Sequence, residues 1–486
     1  MKRYSFDTQP KIRYLSDDEI VRVHEGALRI LEGTGVLFEG AEALSILADA
    51  GCDVDRDTRI VRIPADRAED AIRKIPGSFE LWNRPGTESL TVGGENYYFD
   101  PGSSGLNFLE SDGKTVRPAV TDDMVRLYRL ADALPHLKLQ STALSVSDVP
   151  EDIVDCYRVW LLLKNTTKPF VSGAYEAIGA RRITDILSAV RGSEEALREK
   201  PLAVMDICSQ PPLKWGETSC SNIIDFARFG IPIETISVPM PGTASPATLA
   251  GSLVIHLAES ISGMALAQAA GPGTPMVMGG APMTFDMRYS TTSLNAVETS
   301  IISTAYAQIA RYYGIPSHNY ACLADPKVVD AQAGLESGVS AVMATLGGVN
   351  IISGPGMIDF VNTFSLEKLV IDHEIIAMAD RLYRGMEVND ETLALDLIEE
   401  MGSSGDYLKT KHTRKFYRSE TYVPSVVIDK MNRARWTSEG ETDVFERARA
   451  FVDKTLESHV PEPLPPDTEA ALDAIMADIR ASSENG

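Results

Sequence analysis

The sequence predicts an α/β protein: a (β/α)8 TIM barrel carrying an N-terminal α+β cap and a C-terminal helical extension. Three observations predict it. Short apolar runs alternate with helical stretches from Leu137 onward. The stretch Ile315–Asp359 packs strand, polar loop, helix and strand into about forty residues, which is one β/α unit. No GxGxxG follows the first strand, which weakens the alternative of an open, doubly wound nucleotide-binding sheet.

Residues 1–135 do not follow the later rhythm and read as the cap. Asp17–Glu32, Glu42–Asp49 and Ala65–Lys74 have helical periodicity, with Gly51 and Pro76 as stops and Ile60–Ile63 as a strand. Phe79–Asn83, Ser89–Val92, Tyr97–Asp100 and Thr115–Pro118 suggest a small antiparallel sheet with hairpins at Gly93-Gly94 and Asp112-Gly113. No Pro/Ser/Gly linker separates this part from the rest, so it is expected to pack on the barrel.

Residues 136–410 read as the barrel. Its strands are Leu137–Thr142, Pro169–Gly173, Leu202–Ile207, Pro232–Ser237, Pro275–Gly279, Ile315–Tyr320 and Val349–Ser353, each followed by a helical stretch. An eighth strand is weakly written, with Asp406–Leu408 as the candidate. Residues 411–486 form a charged extension, helical over Ala470–Ala481.

The 486 residues carry a formal net charge of -23, so duplex nucleic acid and anionic membranes are not default partners. Met1–Asp7 is too polar for a signal peptide, and the apolar run Val254–Val277 is interrupted by His256 and Glu259. Five cysteines without CxxC spacing fit a reducing, cytoplasmic setting and argue against a thiolate metal site.

Chemistry in a barrel gathers at the C-terminal ends of its strands. Asp206 and Glu234 are carboxylates inside apolar strands, a costly placement unless paired or used. They read either as functional groups or as a pair bracing the barrel. His318 and Asn319 end the sixth strand, where His318 is a candidate functional group or a satisfied core donor. Asp330 suits the cap of the following helix, and His256 with Glu259 reads as a buried structural pair. HExxH, GxSxG and a short-spaced carboxylate–histidine metal set are all absent, so the spacing carries no metal or nucleophile signature. The turns at Gly271–Gly273, Gly279-Gly280 and Gly354–Gly356 offer backbone N–H groups to an anion.

These residues also carry a resemblance. His24-Glu25-x-Ala27-Leu28-x-Ile30-Leu31-x-x-Thr34-Gly35-Val36 opens it, and Leu47-x-x-Ala50-Gly51-Cys52-x-Val54-Asp55 follows. Its most specific part is Asp325-x-Lys327-x-x-Asp330-Ala331-Gln332-Ala333-Gly334-x-Glu336, then Gly347-x-x-Asn350 and Gly354-x-Gly356. Over nearly its whole length the chain resembles the trimethylamine:corrinoid methyltransferase family, in its branch without pyrrolysine that acts on quaternary amines such as glycine betaine. The resemblance implies methyl transfer from a methylated amine to the Co(I) corrinoid (cobalamin) of a separate corrinoid protein, with no cofactor tightly held here. A homo-oligomer is expected.

Such a reaction needs a pocket that holds a trimethylammonium group. Asp206, Glu234 and His318 are the expected catalytic-site groups; Tyr97, Phe99, Tyr175, Tyr320 and Phe360 are cage candidates. Asn319 and Gln332, with His318, are candidate donors to a substrate carboxylate, and Gly354 and Gly356 are the candidate corrinoid contacts. Trimethylamine as donor, a betaine-binding protein without catalysis, and a barrel lyase or aldolase remain as alternatives. The last would need a strand-borne Lys, and Lys138 is the only one within the predicted strands.

Overall fold

The computed structural model describes residues 10–102 and 104–484. Eight parallel strands among them each lead into a helix. In chain order these are β1 (Tyr98–Asp100), α1 (Thr121–Ala133), β2 (Gln140–Ser141), α2 (Val154–Asn165), β3 (Phe170–Gly173) and α3 (Gly179–Arg191). They continue with β4 (Ala203–Cys208), α4 (Glu217–Phe229), β5 (Ile233–Ser237), α5 (Leu249–Ala270), β6 (Met276–Gly280) and α6 (Val297–Tyr313). The last are β7 (His318–Tyr320), α7 (Ala331–Gly347), β8 (Ile351–Ser353) and α8 (Leu366–Tyr383). Strands β2 to β6 form one parallel sheet in sequence order, and β7–β8–β1 form a second. Isolated parallel bridges, Met278–Ser317 and Phe99–Leu137, connect the two sheets.

Local chemistry fixes the helix ends. Asp330 accepts from Gln332 N and Ala333 N and caps α7, the role its sequence suggested. Left-handed Gly230 and Gly314 stop α4 and α6, a conformation that costs glycine little. By length and composition α5 could cross a bilayer, but Leu253 to Gln268 are almost all buried inside the protein.

Side chains alternate across a strand, and here that alternation builds a floor. Leu139, Val171, Val204, Val277 and Ile351 pack together with Phe79, Leu81 and Val92. The last three come from the antiparallel hairpin Ser78–Trp82/Ser89–Gly93, which closes this end of the strands. Two residues further along the same faces stand Ser141, Gly173, Asp206, Gly279 and Ser353. The apolar plug therefore gives way to a polar layer in one pleat.

Three sequence expectations are corrected. Tyr97–Asp100 belongs to no antiparallel hairpin: residues 98–100 pair in parallel with Ile351–Ser353. Asp406–Leu408 is not a strand, because Tyr407–Lys409 is a single 3-10 turn. β1 and α1 lie ahead of residue 135 in the chain. The hairpin turn expected at Gly93-Gly94 lies instead between Trp82 and Ser89, whereas Asp112-Gly113 does join an antiparallel pair, Asn107–Leu109 and Val116–Pro118.

After α8 come α9 (Asp390–Leu393), α10 (Leu395–Met401), α11 (Lys411–Glu420) and α12 (Arg433–Ser438). They are followed by α13 (Val444–Ser458) and α14 (Pro466–Glu484). Ala448, Val452, Leu472, Met476 and Ile479 join the main core, so the end of the chain is a sheath on the outer helices.

Because β1 bonds to β8 and touches β2, residues 1–135 should not form an independent unit. Limited proteolysis should release no stable fragment ending near residue 135, and a chain starting at residue 136 should be insoluble or unfolded by circular dichroism. A folded 136–486 fragment would contradict this topology.

Candidate functional site

A cavity of about 530 Å³ lies at the C-terminal ends of the strands. Asp100, Ser141, Thr142, Gly173, Asp206, Cys208, Tyr320 and Ser353 line it from the strands and their ends, with Tyr175 and Gln210 from the loops that follow and Arg158 from α2. Ser104, Tyr175 and Gln210 are exposed and mark its opening.

Glu234 and His318 sit beside this cavity with no solvent exposure. Glu234 Oε1 lies 2.5 Å from His318 Nδ1, skewed from the line a hydrogen bond prefers. Burial pushes Glu234 well above the usual carboxyl range. Burial also pulls His318 down to about 4, against the opposing pull of Asp206. Both shifts favour the neutral form of each group. Gly279 makes room for this pair, because a Cβ there would sit 2.7 Å from Glu234 Oε1. His318 Nε2 is 3.0 Å from Ser353 Oγ, which donates to Asp100 Oδ2 at 2.9 Å. Burial raises Asp100 well above the usual range; the Ser353 hydrogen bond opposes this, and Asp206 and Glu234 add to it. Close contacts thus run across the interior from Glu234 through His318 and Ser353 to Asp100.

Asp206 differs because its accessible surface opens on the cavity. Its Oδ1 has no hydrogen-bond partner. Burial and then the neighbouring Glu234 raise it well above the usual range, while His318 and Arg158 oppose. Arg158 is 1% exposed. Its Nη1 donates to Ser104 Oγ (3.1 Å), Thr142 O (3.0 Å) and Leu144 O (3.3 Å), while Nε is buried without a partner. Among the described residues no carboxylate forms a salt bridge with it. Tyr175 lies under its guanidinium, 4.5 Å from ring centre to Cζ, and the Tyr175 hydroxyl is 2.7 Å from Ser104 Oγ. Cys208 faces the cavity as a thiol, pushed up to about 12 by burial and then by Asp206 and Glu234. The arrangement offers one cation, one ionisable carboxyl and a surround of neutral groups.

The family described as trimethylamine methyltransferase matches residues 2–483. The chain belongs to that family. It is 31% identical over 461 residues to the trimethylamine methyltransferase MttB of Desulfitobacterium hafniense (strain DSM 10664 / DCB-2), covering 95% of this chain and 92% of that one. It is 32% identical over 470 residues to a glycine betaine methyltransferase of Desulfitobacterium hafniense (strain Y51), covering 96% and 97%. The crystal structure of the Methanosarcina barkeri monomethylamine methyltransferase superposes with a TM-score of 0.50 at 13% identity, covering 91% of this chain and 94% of that one. At that identity the likeness speaks to the fold alone.

Within this methyltransferase-family chain the predicted site residues divide. Asp206, Glu234, His318, Tyr175 and Tyr320 come together at or beside the cavity; Tyr320 packs edge-on to His318 at 4.8 Å. Tyr97 and Phe99 fall on the opposite face of β1 from Asp100. Tyr97 donates to Asp380 Oδ1 (2.6 Å) on α8, and Phe99 packs edge-on against it. Asn319 alternates with His318 and is buried away from the cavity. Gln332 is exposed on α7 and donates to Glu336 Oε1 at 2.7 Å. Phe360 lies under Lys327 Nζ at 3.8 Å, outside the cavity lining. Gly354 and Gly356 are buried in the turn after β8. Gly356 N already donates to Asp372 Oδ2 at 2.7 Å, and a Cβ on Gly354 would meet Ala321 O at 2.1 Å. His256 is structural, stacked on Tyr306 and 3.1 Å from Gly279 O.

Asp100 and Arg158 were not anticipated. A three-residue strand among hairpin-like runs hides the first. The second reads as an ordinary helix arginine, although the surrounding Val154–Leu163 is apolar enough to have marked a buried face.

Asp206 has a folded-state pKa raised above its unfolded value of 3.8. The stability it contributes is whole below that value and is lost as pH rises through the raised one. The unfolding free energy of Asp206→Asn minus wild type should therefore grow with pH between about 4 and 8 in urea titrations of the ligand-free protein. A pH-independent difference would mean that Asp206 titrates like a surface carboxyl.

Proposed function

We propose that the protein transfers a methyl group from a quaternary amine carrying a carboxylate, of the glycine betaine kind, to the corrinoid of a separate corrinoid protein docked over the strand ends. On this reading the eight strands close as a (β/α)8 barrel that begins at β1, ahead of residue 135, and ends near residue 410. The N-terminal hairpin plugs its floor, and residues 411–486 wrap its side.

One observation carries the choice of substrate. Arg158 and Asp206 face the same cavity from different walls, and neither has an ionic partner among the described residues. A buried, unpaired charge is costly, so each is expected to meet its counter-charge in the ligand. A zwitterion supplies both. Arg158 receives the carboxylate on its free edge; Asp206 receives the trimethylammonium and ionises as it does so. The rings of Tyr175 and Tyr320 line the path between them. Trimethylamine lacks the group that Arg158 requires.

The acceptor corrinoid, in its Co(I) state, supplies a strong nucleophile for an exposed methyl group. A cavity of about 530 Å³ suits a small amine and leaves no room for a corrin ring, which supports a partner that presents the ring at the opening. The leaving group is a neutral tertiary amine and needs no proton. Glu234, His318 and Asp100 therefore have no acid–base duty: burial favours their neutral forms, which keeps further negative charge away from Asp206. As the ammonium charge disappears in the transition state, Asp206 holds the departing amine more weakly. The side chains act by binding and placement.

Methyl transfer to a Co(I) corrinoid protein, followed by its absorbance, should be seen with glycine betaine, proline betaine and carnitine and should be weaker with choline. Arg158→Lys should raise KM for the carboxylate-bearing donors by roughly thirtyfold or more and leave choline little changed. Asp206→Asn should raise KM for every quaternary donor, with kcat less affected. Turnover of trimethylamine alone, or of no quaternary amine with a competent corrinoid protein, would rule the assignment out.

A further inference from the structure

The loop between β3 and α3 brings Tyr175 to the cavity, and side chains hold it there. Asp155 Oδ2 accepts from Tyr175 N at 3.0 Å and from Glu176 N at 3.4 Å, while Oδ1 accepts from Cys156 N at 2.7 Å. Asn222 Nδ2 donates to Ala174 O at 3.2 Å. Asp155 is 1% exposed and, among the described residues, forms no salt bridge. A buried carboxylate whose hydrogen bonds come chiefly from backbone N–H groups is satisfied only while that backbone stays in place. Gly179 belongs to the same fit, because a Cβ there would collide with Asp155 Oδ2.

What the loop presents is an aromatic ring. Tyr175 lies 4.5 Å from Arg158 Cζ, and its hydroxyl is 2.7 Å from Ser104 Oγ, which also takes Arg158 Nη1 at 3.1 Å. Tyr175 is 42% exposed and Arg158 only 1%, so the ring stands on the solvent side of the guanidinium. Asp155 and Arg158 are one turn apart on α2. One helix therefore fixes both the guanidinium and the anchor of the ring that covers it. With Nη1 held by Ser104, Thr142 and Leu144 and one face under the ring, the guanidinium is kept in a single orientation.

We propose that Asp155 and Tyr175 are positioning residues for Arg158, and that through it they set the preference for a donor bearing a carboxylate. The proposal rests on the reading of Arg158 as the partner of that carboxylate. Asp155 keeps the loop in place, the loop keeps the ring on the guanidinium, and the ring keeps water off it. A cation shielded from water attracts an anion more strongly than a solvated one. A fork already held in place also loses less freedom when it binds. The ammonium end of the donor is left to Asp206, so choline, which has no carboxylate, gains nothing from this arrangement.

Two measurements need no donor. Phenylglyoxal, which modifies arginines it can reach, should label Arg158 roughly tenfold faster in Tyr175→Leu and in Asp155→Ala than in the wild type, read by peptide mass spectrometry. Tyr175→Phe, which keeps the ring, should label more slowly than Tyr175→Leu. Hydrogen exchange across residues 174–179 should rise in Asp155→Ala. In the methyl-transfer assay, kcat/KM for glycine betaine relative to choline should fall roughly two- to thirtyfold in Tyr175→Leu and Asp155→Ala. That fall should vanish when Tyr175→Leu is made in an Arg158→Met background, because the ring acts through the guanidinium. Tyr175 is exposed, so its variants keep the test open even where Asp155→Ala does not fold. Labelling of Arg158 at the wild-type rate in Tyr175→Leu would overturn the proposal, and so would an unchanged ratio in an enzyme that turns over glycine betaine. Faster labelling in a protein that turns over no carboxylate-bearing donor would uphold the positioning of Arg158 and strike the ligand assigned to it.

Discussion

Three carboxyl groups, Asp100, Asp206 and Glu234, share one interior layer immediately above an apolar floor, and the site is arranged around that fact. Ionised together they would repel one another in a poorly solvated space, where desolvation alone already favours the neutral acid. The protein meets this constraint by connecting two of them. Glu234 lies against His318, where burial favours its neutral form, and Ser353 carries the line on to Asp100. Asp206 is left as the carboxyl that opens on the cavity, with the Arg158 guanidinium in the same cavity as its opposite charge.

The backbone features nearby follow from the same need for room. Gly279 is a glycine because the carboxyl of Glu234 occupies the space of its side chain. Gly354 has a φ of 152°, where a Cβ would strike Ala321 O, and this lets the chain turn just after β8 has delivered Ser353. Gly356 then gives its N–H to Asp372, which Lys368 neutralises inside α8 at 2.5 Å. These glycines shape the support of the site, whereas their sequence alone suggested a ligand cradle.

How much of this was legible follows from what each signal depends on. Strands and helices after Leu137 were readable because apolar runs and helical periodicity are local. Asp206 and Glu234 were readable because a carboxylate in an apolar strand is anomalous wherever the strand lies. β1 was not, since three residues give no periodicity and its partner β8 is some 250 positions away in the chain, a separation set by Ile351 pairing with Tyr98. That one misplaced strand also put Tyr97 and Phe99 on the wrong face, because side chains alternate and Asp100 takes the inner one. The mistake at Asn319 has the same origin: His318 and its neighbour cannot both look inward. Arg158 was hidden for a different reason. Its significance lies in the lack of a partner, and absence of a partner is a property of three dimensions.

The partition of charge also explains how a methyltransferase can have a site full of ionisable groups and no acid–base motif. A residue that donates or accepts a proton in catalysis needs a partner atom on the substrate, and a quaternary nitrogen has neither a proton to lose nor a lone pair to gain one. What such a substrate does present is fixed charge. A zwitterion brings an anion and a cation a few bonds apart, so in the cavity it completes two pairs at once and adds no net charge to the interior. On the proposed reading the ionisation of Asp206 is tied to occupancy, because burial and the neighbouring Glu234 favour its neutral form and a bound ammonium would favour its charged form. Loss of the methyl cation removes that stabilisation from the remaining tertiary amine, so the step that completes the chemistry also weakens the hold on its product.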